Sequence, residues 1–588
     1  MMRRIRTSLL VLVFPFLAAG SIRAETEDDK LIAFFRNYLE EEFRQRPFLA
    51  TQLGDHRFDH LLDDLSPQAR AAWKERTRKT LDELPRQVAY EKLSRSGQID
   101  FEIFRHHLTR NLWLAENTRP FEEDPRVYNE YVSDSTFLLL TQSTLPKAVN
   151  IRNCVARMGQ IPRVLAAARA NLGNPPRVVV ETAIRQNRGA IAYYEHGIFQ
   201  LAGETPSLSE LGPAAKPVVA ALKEYQKFLE EELLPRATGD WRIGKEKFAR
   251  KLELELDAGL TADQVLREAE AEFERVERDM YVIARQLWSR THPGKPLPPD
   301  DVEGRRDTIR LVLAELNRDH GKVEDLVSDA RATVARIKEF IAANDILRLP
   351  DPDRCQIIEM PEFQRGNAVA YLNPAPPLDA NAASVYAVSP PPRDWDARRV
   401  ASFLEEYNRY MLQILTIHEA YPGHYVQLEY SNRHPSLIRR VLQSGVFAEG
   451  WAVYTEQMML DQGYGKGDLA LRLNQLKWYL RSVANAILDH KMHCTPMTDE
   501  EALAFLTQRA FQSEGEARLK IIRAKQSSCQ LSTYFVGRTA FYRLRQEVQR
   551  ELGEKFELGR FHEAVLAHGT LPVKYLPELV RERLKQPR

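Results

Sequence analysis

The chain has 588 residues, of which 44% are hydrophobic and 28% are charged. This composition excludes a fibre, a repeat array and a disordered chain, and the length allows one large domain or a few smaller ones. The formal net charge of +1 gives no reason to expect nucleic acid or an anionic membrane surface as a partner.

The first 24 residues have the order of features that is typical of a secretory signal peptide. Arg3, Arg4 and Arg6 precede an apolar run over 9–19, and small residues follow up to Ala24. The run is too short to span a bilayer, which takes about 20 residues, so an uncleaved anchor is the weaker alternative. No Cys follows the run, which argues against a lipid anchor. We therefore expect a signal peptide over 1–24 and an exported protein, periplasmic or secreted, without a stable membrane span.

Most of the remaining chain has the periodicity of amphipathic helices, so the expected fold class is mainly α. The clearest case follows Thr261, where Gln264 completes a capping box and apolar residues recur as far as Ile283. Further helices are predicted over 30–44, 66–83, 99–116, 146–172, 213–234 and 325–345. We interpret their apolar stripes as core contacts rather than binding surfaces.

Two stretches interrupt the helical pattern. The Pro-rich loop 291–299 predicts a boundary between an N-terminal helical part, 25–300, and a catalytic part, 301–588, which we expect to pack as one compact unit. The second stretch, 350–393, contains short runs rich in Val, Ile and Tyr, which strands prefer. These runs are Gln356–Met360, Ala368–Leu372 and Ser384–Val388. They predict a small β-sheet just upstream of the chemical motif.

The cysteines do not indicate a zinc site, because they lie far apart and show no C-x-x-C spacing. They are Cys154, Cys355, Cys494 and Cys529. An oxidising compartment would allow one or two disulfides, and buried unpaired thiols are equally compatible with the spacing.

His418, Glu419 and His424 carry the clearest chemistry, in the run His-Glu-Ala-Tyr-Pro-Gly-His. A neutral imidazole binds zinc, and an adjacent carboxylate can take a proton from water on the metal. In the H-E-x-x-H motif the second His follows four residues after the first, whereas here it follows after six, a rotation of about 120° on an ideal helix. His424 can return to the metal side only if Pro422 and Gly423 bend the chain. The alternative is a kinked, histidine-rich helix in the core.

Catalytic zinc usually has three protein ligands, and Glu449 is the candidate for the third. It lies among apolar and aromatic residues, where an unpaired charge is costly to bury. An ion pair with an Arg is the alternative explanation. Glu456, two turns further on the same helix face, is a weaker candidate as ligand or as hydrogen-bond partner of a ligand.

These residues together resemble the bacterial domain-of-unknown-function family 885, whose members carry His-Glu-x-x-Pro-Gly-His. The resemblance covers nearly the whole mature chain. It extends over Arg46-Pro47, Ala50-Thr51, Gly54, His56, Ala448–Ala452, Asp489–His493, Arg523, Gln530, Tyr534 and Gly537. One departure is Tyr425, where many members have a second His, and another is Ser528-Cys529, where the family has Pro-Gly.

That family is grouped with the zincin-like metallopeptidases, in which a downstream Glu completes the metal site. The resemblance therefore implies a large helical zincin-like fold with a small β-sheet next to the active site. It also implies that His418, His424 and Glu449 bind Zn²⁺ and that Glu419 is the general base.

Four further residues are weaker candidates. Tyr534 could donate a hydrogen bond to the oxyanion, or could be an ordinary core tyrosine. Arg523 could hold a substrate carboxylate, or could pair with a Glu between helices. Asp489 and His493 lie four residues apart on one helix face and could orient a zinc-bound His, or form a structural hydrogen bond.

The sequence thus predicts an exported zinc metallopeptidase that acts on a peptide or amide substrate by metal-activated water. One alternative is a non-catalytic exported binding protein on the same scaffold. Another is a metallo-amidase that acts on non-peptide substrates. No G-x-S-x-G or catalytic Cys pattern indicates a serine or cysteine enzyme.

Overall fold

The structure is a computed structural model that describes residues 25–360 and 370–587. The predicted signal peptide, 1–24, lies outside the described residues, as do the first two residues of the predicted strand Ala368–Leu372. The described chain is mainly helical with one small sheet, so the mainly α class and the small sheet are confirmed. No helix in these two ranges combines the length and the apolar character that crossing a membrane requires.

Between residue 25 and the sheet the structure has fifteen α-helices. They are α1 Glu27–Gln45, α2 Pro47–Leu53, α3 Pro67–Gln87, α4 Arg95–Asn117, α5 Pro120–Glu123, α6 Arg126–Thr141, α7 Lys147–Met158, α8 Ile161–Asn171, α9 Arg177–Ala192, α10 Ile198–Ala202, α11 Leu208–Lys227, α12 Lys245–Leu256, α13 Ala262–Thr291, α14 Val302–Leu316 and α15 Leu326–Ala343.

The strands and the remaining helices follow in chain order. They are β1 Cys355–Glu359, β2 Ala370–Asn373, β3 Ser384–Val388, α16 Ala397–Glu406, α17 Arg409–Glu419, α18 His424–Asn432, α19 Leu437–Val441, α20 Gly445–Asp461, α21 Leu469–Cys494, α22 Asp499–Ala504, α23 Glu514–Gln526, α24 Thr533–Leu552, α25 Leu558–Leu566 and α26 Leu576–Lys585.

The predicted capping box begins helix α13. The Thr261 side chain accepts a hydrogen bond from the Gln264 amide at 3.3 Å, and the Gln264 side chain accepts one from the Thr261 amide at 2.8 Å. In contrast, the predicted helix 146–172 is two helices, since α7 ends at Met158 and α8 begins at Ile161. Pro162, in the first turn of α8, has no N–H with which to continue the hydrogen bonds of α7.

The predicted sheet is present and has the strand order β1-β3-β2. Strands β1 and β3 are parallel, and β2 is antiparallel to β3. In this register Tyr386 of β3 pairs with Ile357 of β1 and with Leu372 of β2. Strand β2 therefore forms an edge of the sheet, and this edge faces helix α17.

Two hydrophobic clusters form the core. The smaller one is built mainly from α6 to α11, and the larger one joins the N-terminal helices α1 and α4 to the sheet and to the helices after it. Phe273 and Ile309, which lie on either side of the Pro-rich loop, both belong to the larger cluster. The predicted division into 25–300 and 301–588 stays a prediction.

All four cysteines are unpaired thiols. Cys154 and Cys529 are buried, and Cys355 and Cys494 are half-buried. The spacing allowed either disulfides or free thiols, and the structure has free thiols.

Candidate metal centre and active site

The chain bends sharply between helices α17 and α18, as the spacing of the two histidines requires. Gly423 lies so close to the end of α17 that a Cβ atom on it would be 1.9 Å from the carbonyl oxygen of His418. The indole Nε1 of Trp451 donates a hydrogen bond of 2.8 Å to the carbonyl of Pro422. The bend returns His424 to His418, and the centroids of the two rings are 4.8 Å apart with the rings perpendicular.

The three predicted ligands come together at this bend. Nε2 of His424 lies 3.5 Å from Oε2 of Glu449, and Nε2 of His418 lies 3.8 Å from the same oxygen. The candidate ligand atoms of the three residues are all within 4.8 Å of one another. Ligand atoms of tetrahedral zinc are about 3.3 Å apart, so small movements would close this group around an ion. The described ranges contain no second group of this kind.

Glu456 contacts the far side of the His418 ring. Its Oε1 atom lies 2.7 Å from Nδ1 of His418, and Glu456 is fully buried. This contact leaves Nε2 directed at Glu449, the arrangement in which a carboxylate orients a metal-binding histidine. Burial lowers the pKa of His418 to about 3, so the ring is neutral, as a ligand must be.

The charges of Glu449 and His424 compensate each other. Burial alone would raise the pKa of Glu449, but its hydrogen bond with His424 and the charge of that ring lower it. Burial would lower the pKa of His424, but Glu449 raises it above the ordinary value. A carboxylate that is ionised in a buried position is a suitable ligand for a cation.

A close helix crossing positions Glu449 beside Tyr534. Gly450 of α20 packs directly on Gly537 of α24, and a Cβ atom on Gly450 would lie 2.3 Å from the Gly537 backbone. The Tyr534 hydroxyl, one turn before Gly537, interacts with the Glu449 carboxylate. It also accepts a hydrogen bond of 3.2 Å from Arg523.

Glu419 follows the first histidine and contacts the sheet. Its Oε2 atom accepts a hydrogen bond of 2.9 Å from the amide of Leu372 in edge strand β2. Burial raises the pKa of Glu419 to about 7, although His424 and the Leu372 amide act in the opposite direction. A carboxyl with this pKa can both accept and return a proton near neutral pH.

A cavity of about 400 Å³ borders the site. Its wall includes four of the predicted site residues, namely His418, Glu419, Arg523 and Tyr534. The other lining residues are Ala370, Tyr407, Leu415, Trp478, Arg481, Ser482, Asn485, Glu516, Leu519 and Lys520. A volume of this size is ordinary for a site that binds a small molecule or a short peptide segment.

The sequence profile of DUF885, described as bacterial protein of unknown function, matches residues 47–580. The chain belongs to the DUF885 family. No curated protein matches the chain.

Two solved structures resemble this DUF885 protein over almost their whole length. A candidate lipoprotein of unknown function from Shewanella oneidensis is 30% identical, with a TM-score of 0.79, and the match covers 94% of this chain and 99% of that one. A candidate lipoprotein from Colwellia psychrerythraea is 18% identical, with a TM-score of 0.78, and the match covers 95% and 100%. The second likeness shows a shared fold.

In this DUF885 protein Tyr425 points away from the candidate metal centre. Its hydroxyl donates a hydrogen bond of 2.8 Å to Asp353 and accepts one of 2.7 Å from the amide of Arg354. The side chain is fully buried in these contacts. The departure at this position therefore leaves the group formed by His418, His424 and Glu449 unchanged.

Of the two roles considered for Asp489 and His493, the structure has the structural hydrogen bonds and no contact with His418 or His424 among the described residues. The Asp489 carboxylate accepts hydrogen bonds of 3.0 Å from the Cys529 amide and from the Ser532 hydroxyl. His493 Nε2 lies 2.9 Å from the carbonyl of Ala524. Both side chains are buried and hold the loop that leads from α23 to Tyr534, so their contact with the site is indirect.

The cavity also contains charged residues that were not singled out from the sequence. Arg481 on α21 and Lys520 on α23 line it together with Glu516 and Arg523. Glu516, Lys520 and Arg523 are spaced by four and three residues, which places them on one face of α23. That spacing could have indicated a common position for the three side chains. Charged residues at helical spacing, however, usually lie on the solvent-exposed face of a helix.

Proposed function

We propose that this DUF885 protein is an exported metal-dependent hydrolase that cleaves peptide or related amide bonds. The observation that carries the proposal is the convergence of His418, His424 and Glu449, with His418 and Glu419 on the wall of a cavity that can admit a substrate. Two imidazoles and one carboxylate are a donor set that zinc has in catalytic sites, so we assign these three residues as ligands of Zn²⁺. The zincin-like fold implied by the family resemblance belongs to the same proposal.

The residues of the chain then have distinct roles. Zinc, when bound, supplies Lewis acidity and lowers the pKa of water. Glu419 takes a proton from the attacking water and returns it to the departing amine, which its pKa of about 7 allows. Tyr534 donates a hydrogen bond to the oxyanion that forms on the carbonyl, and Arg523 fixes the position of its hydroxyl. Glu456 holds the His418 ring in place.

Two observations support export. Arginines followed by an apolar run and small residues begin the sequence, as in a secretory signal peptide. Both structural relatives are described as candidate lipoproteins. We therefore propose a periplasmic or secreted protein.

Digestion of a mixed peptide pool, followed by mass spectrometry, tests this function. We expect zinc-loaded wild type to cleave peptides and a chelator to abolish the cleavage. Glu419→Gln should lower the rate about 10²–10⁴-fold, because it removes proton transfer while leaving the three ligands in place. Full activity in Glu419→Gln would refute the proposed mechanism. Peptides that are bound but never cut by wild type would instead favour the binding-protein alternative.

A further inference from the structure

Lys520 is a buried amine on the wall of the cavity that has no partner among the described residues. Its side chain is 4% exposed, and it makes no hydrogen bond or ion pair with any residue in the described ranges. An ammonium group in such a position is costly to keep charged, because no carboxylate of the described residues is in contact with it. A bound anion would compensate such a charge.

The arginines that flank this lysine add to the positive charge. Arg481 pairs with Glu516 at 2.9 Å, and its Nη1 atom is buried without a hydrogen-bond partner in the described chain. Arg523 has no carboxylate partner among the described residues, and its guanidinium donates to the neutral side chains of Gln530 and Tyr534. Apart from Glu419, the cavity wall thus carries three cationic side chains and one carboxylate.

This excess of positive charge lies next to the candidate metal centre. Arg523 donates a hydrogen bond of 3.2 Å to the Tyr534 hydroxyl, and this hydroxyl interacts with the Glu449 carboxylate. The charge of the same carboxylate also acts on the Lys520 ammonium. Burial and the two arginines lower the pKa of Lys520 well below its usual range. A carboxylate bound beside it would offset both effects.

We propose that Lys520, with Arg481 and Arg523, forms a subsite that binds a carboxylate of the substrate next to the scissile bond. The inference rests on the proposed function and gives it a substrate class. The carboxylate that every linear peptide offers is its C-terminus, and a cavity of about 400 Å³ suits a short terminal segment. The enzyme would therefore remove residues from the C-terminal end of a peptide. An acidic side chain of the substrate is the other source of a carboxylate.

A pair of peptides that differ only at the C-terminus tests the subsite. The probes are an N-acetylated alanine tetrapeptide with a free carboxylate and the same peptide as its C-terminal amide. We expect amidation to lower kcat/KM about 100-fold in wild type, the usual order of loss when a buried charge is left unpaired. Lys520→Met should cleave both peptides at a similar low rate. Equal cleavage of both peptides by wild type would overturn the subsite.

Lys525→Met is the matched control. Lys525 lies on the same helix, outside the cavity, and its ammonium pairs with Asp499 at 2.6 Å. This variant should discriminate between the two peptides as wild type does. Lys520→Met should keep or raise the melting temperature, since Met fills similar space without a buried charge. A large fall in melting temperature would mean that Lys520 is a structural residue and would overturn the proposal.

Binding to Glu419→Gln separates this proposal from the proposed function. Calorimetry with zinc-loaded Glu419→Gln should show at least about 10-fold tighter binding of the free acid than of the amide, and Lys520→Met in that background should remove the difference. Such binding without any cleavage by wild type would refute the hydrolase and leave the subsite standing. Cleavage of the free acid and the amide at equal rates would support the hydrolase and refute the subsite. An amidated peptide ending in Glu that is bound as well as the free acid would assign the carboxylate to a side chain.

Discussion

Individual side chains orient the candidate ligands, and Glu456 has the clearest role of this kind. It is fully buried, and its Oε1 atom lies 2.7 Å from Nδ1 of His418, the ring nitrogen that is not directed at Glu449. Glu456→Ala should therefore lower zinc affinity about 10–100-fold without removing a ligand, because the ring loses its fixed orientation. Competition for zinc with a chromophoric chelator measures the affinity. Glu456→Gln, which keeps a hydrogen-bonding oxygen, should lose less, and an unchanged affinity in Glu456→Ala would contradict the role.

Asp489 makes stability depend on pH. Burial raises its pKa from 3.8 to about 7, although the Cys529 amide and the Ser532 hydroxyl bond to it. As the pH rises from about 4 to 7 the unfolded chain loses this proton while the folded chain keeps it, so stability falls. Above about 7 both states are ionised and the loss, at most about 4 kcal/mol, is complete.

Asp489→Asn should not show this loss, since the amide cannot ionise and can still bond to both partners. We expect its melting temperature relative to wild type to increase between pH 4 and pH 7 and then to level off. Thermal unfolding of both proteins in a series of buffers measures the difference. A constant difference across that range would mean that the carboxyl is ionised throughout.

The residues of the candidate metal centre could be predicted from sequence because their types are chemically informative. A His-Glu pair near a second His and a buried Glu has few structural explanations. Lys520 could not be found in this way, since its burial depends on how α23 packs against α9 and α21. For Asp489 and His493 the sequence left two roles open, because spacing on one helix does not show which loop packs against it.

At the scale of elements, the turn between α17 and α18 decides whether the two histidines meet. A Cβ atom on Gly423 would lie 1.9 Å from the carbonyl oxygen of His418 and 2.3 Å from that of Ile417, and neither backbone atom can move freely. Gly423→Ala should displace His424, lower zinc affinity at least about 10-fold and destabilise the fold by about 1–3 kcal/mol. Zinc titration and thermal unfolding measure the two effects.

Gly445→Ala is the control for that substitution. Gly445 is the first residue of α20, and a Cβ atom on it would have no neighbour within 4 Å. This variant should bind zinc and unfold as wild type does. If Gly423→Ala behaved in the same way, the close approach at the turn would not be what positions His424.

The elements themselves were largely predictable, while their breaks were not. Helix α13 begins at the predicted capping box, and strands β1 and β3 begin within one residue of their predicted starts. The split between α7 and α8 was missed because apolar periodicity continues across Gly159 and Gln160. A bend before His424 could be expected, because both histidines can face one metal ion only if the chain turns there. The form of the bend depends on a hydrogen bond from Trp451, which is distant in sequence.

For the whole molecule, the candidate site depends on helices from both ends of the chain. The larger hydrophobic cluster joins α1 and α4 to α17, α20 and α24. A buried ion pair of 2.5 Å between Asp100 of α4 and Arg439 of α19 connects the same two regions. The similarity to the two solved structures also extends over nearly the full chain, so the DUF885 fold is shared as a whole.

The zinc content of the purified protein tests the proposed metal centre most directly. After saturation with zinc and removal of the excess, we expect about one zinc ion per chain in wild type and in Glu419→Gln. His418→Ala should retain almost none, because two ligands do not hold the ion. Absence of zinc from wild type, or a full complement in His418→Ala, would contradict the assignment of His418, His424 and Glu449 as the metal centre of this protein.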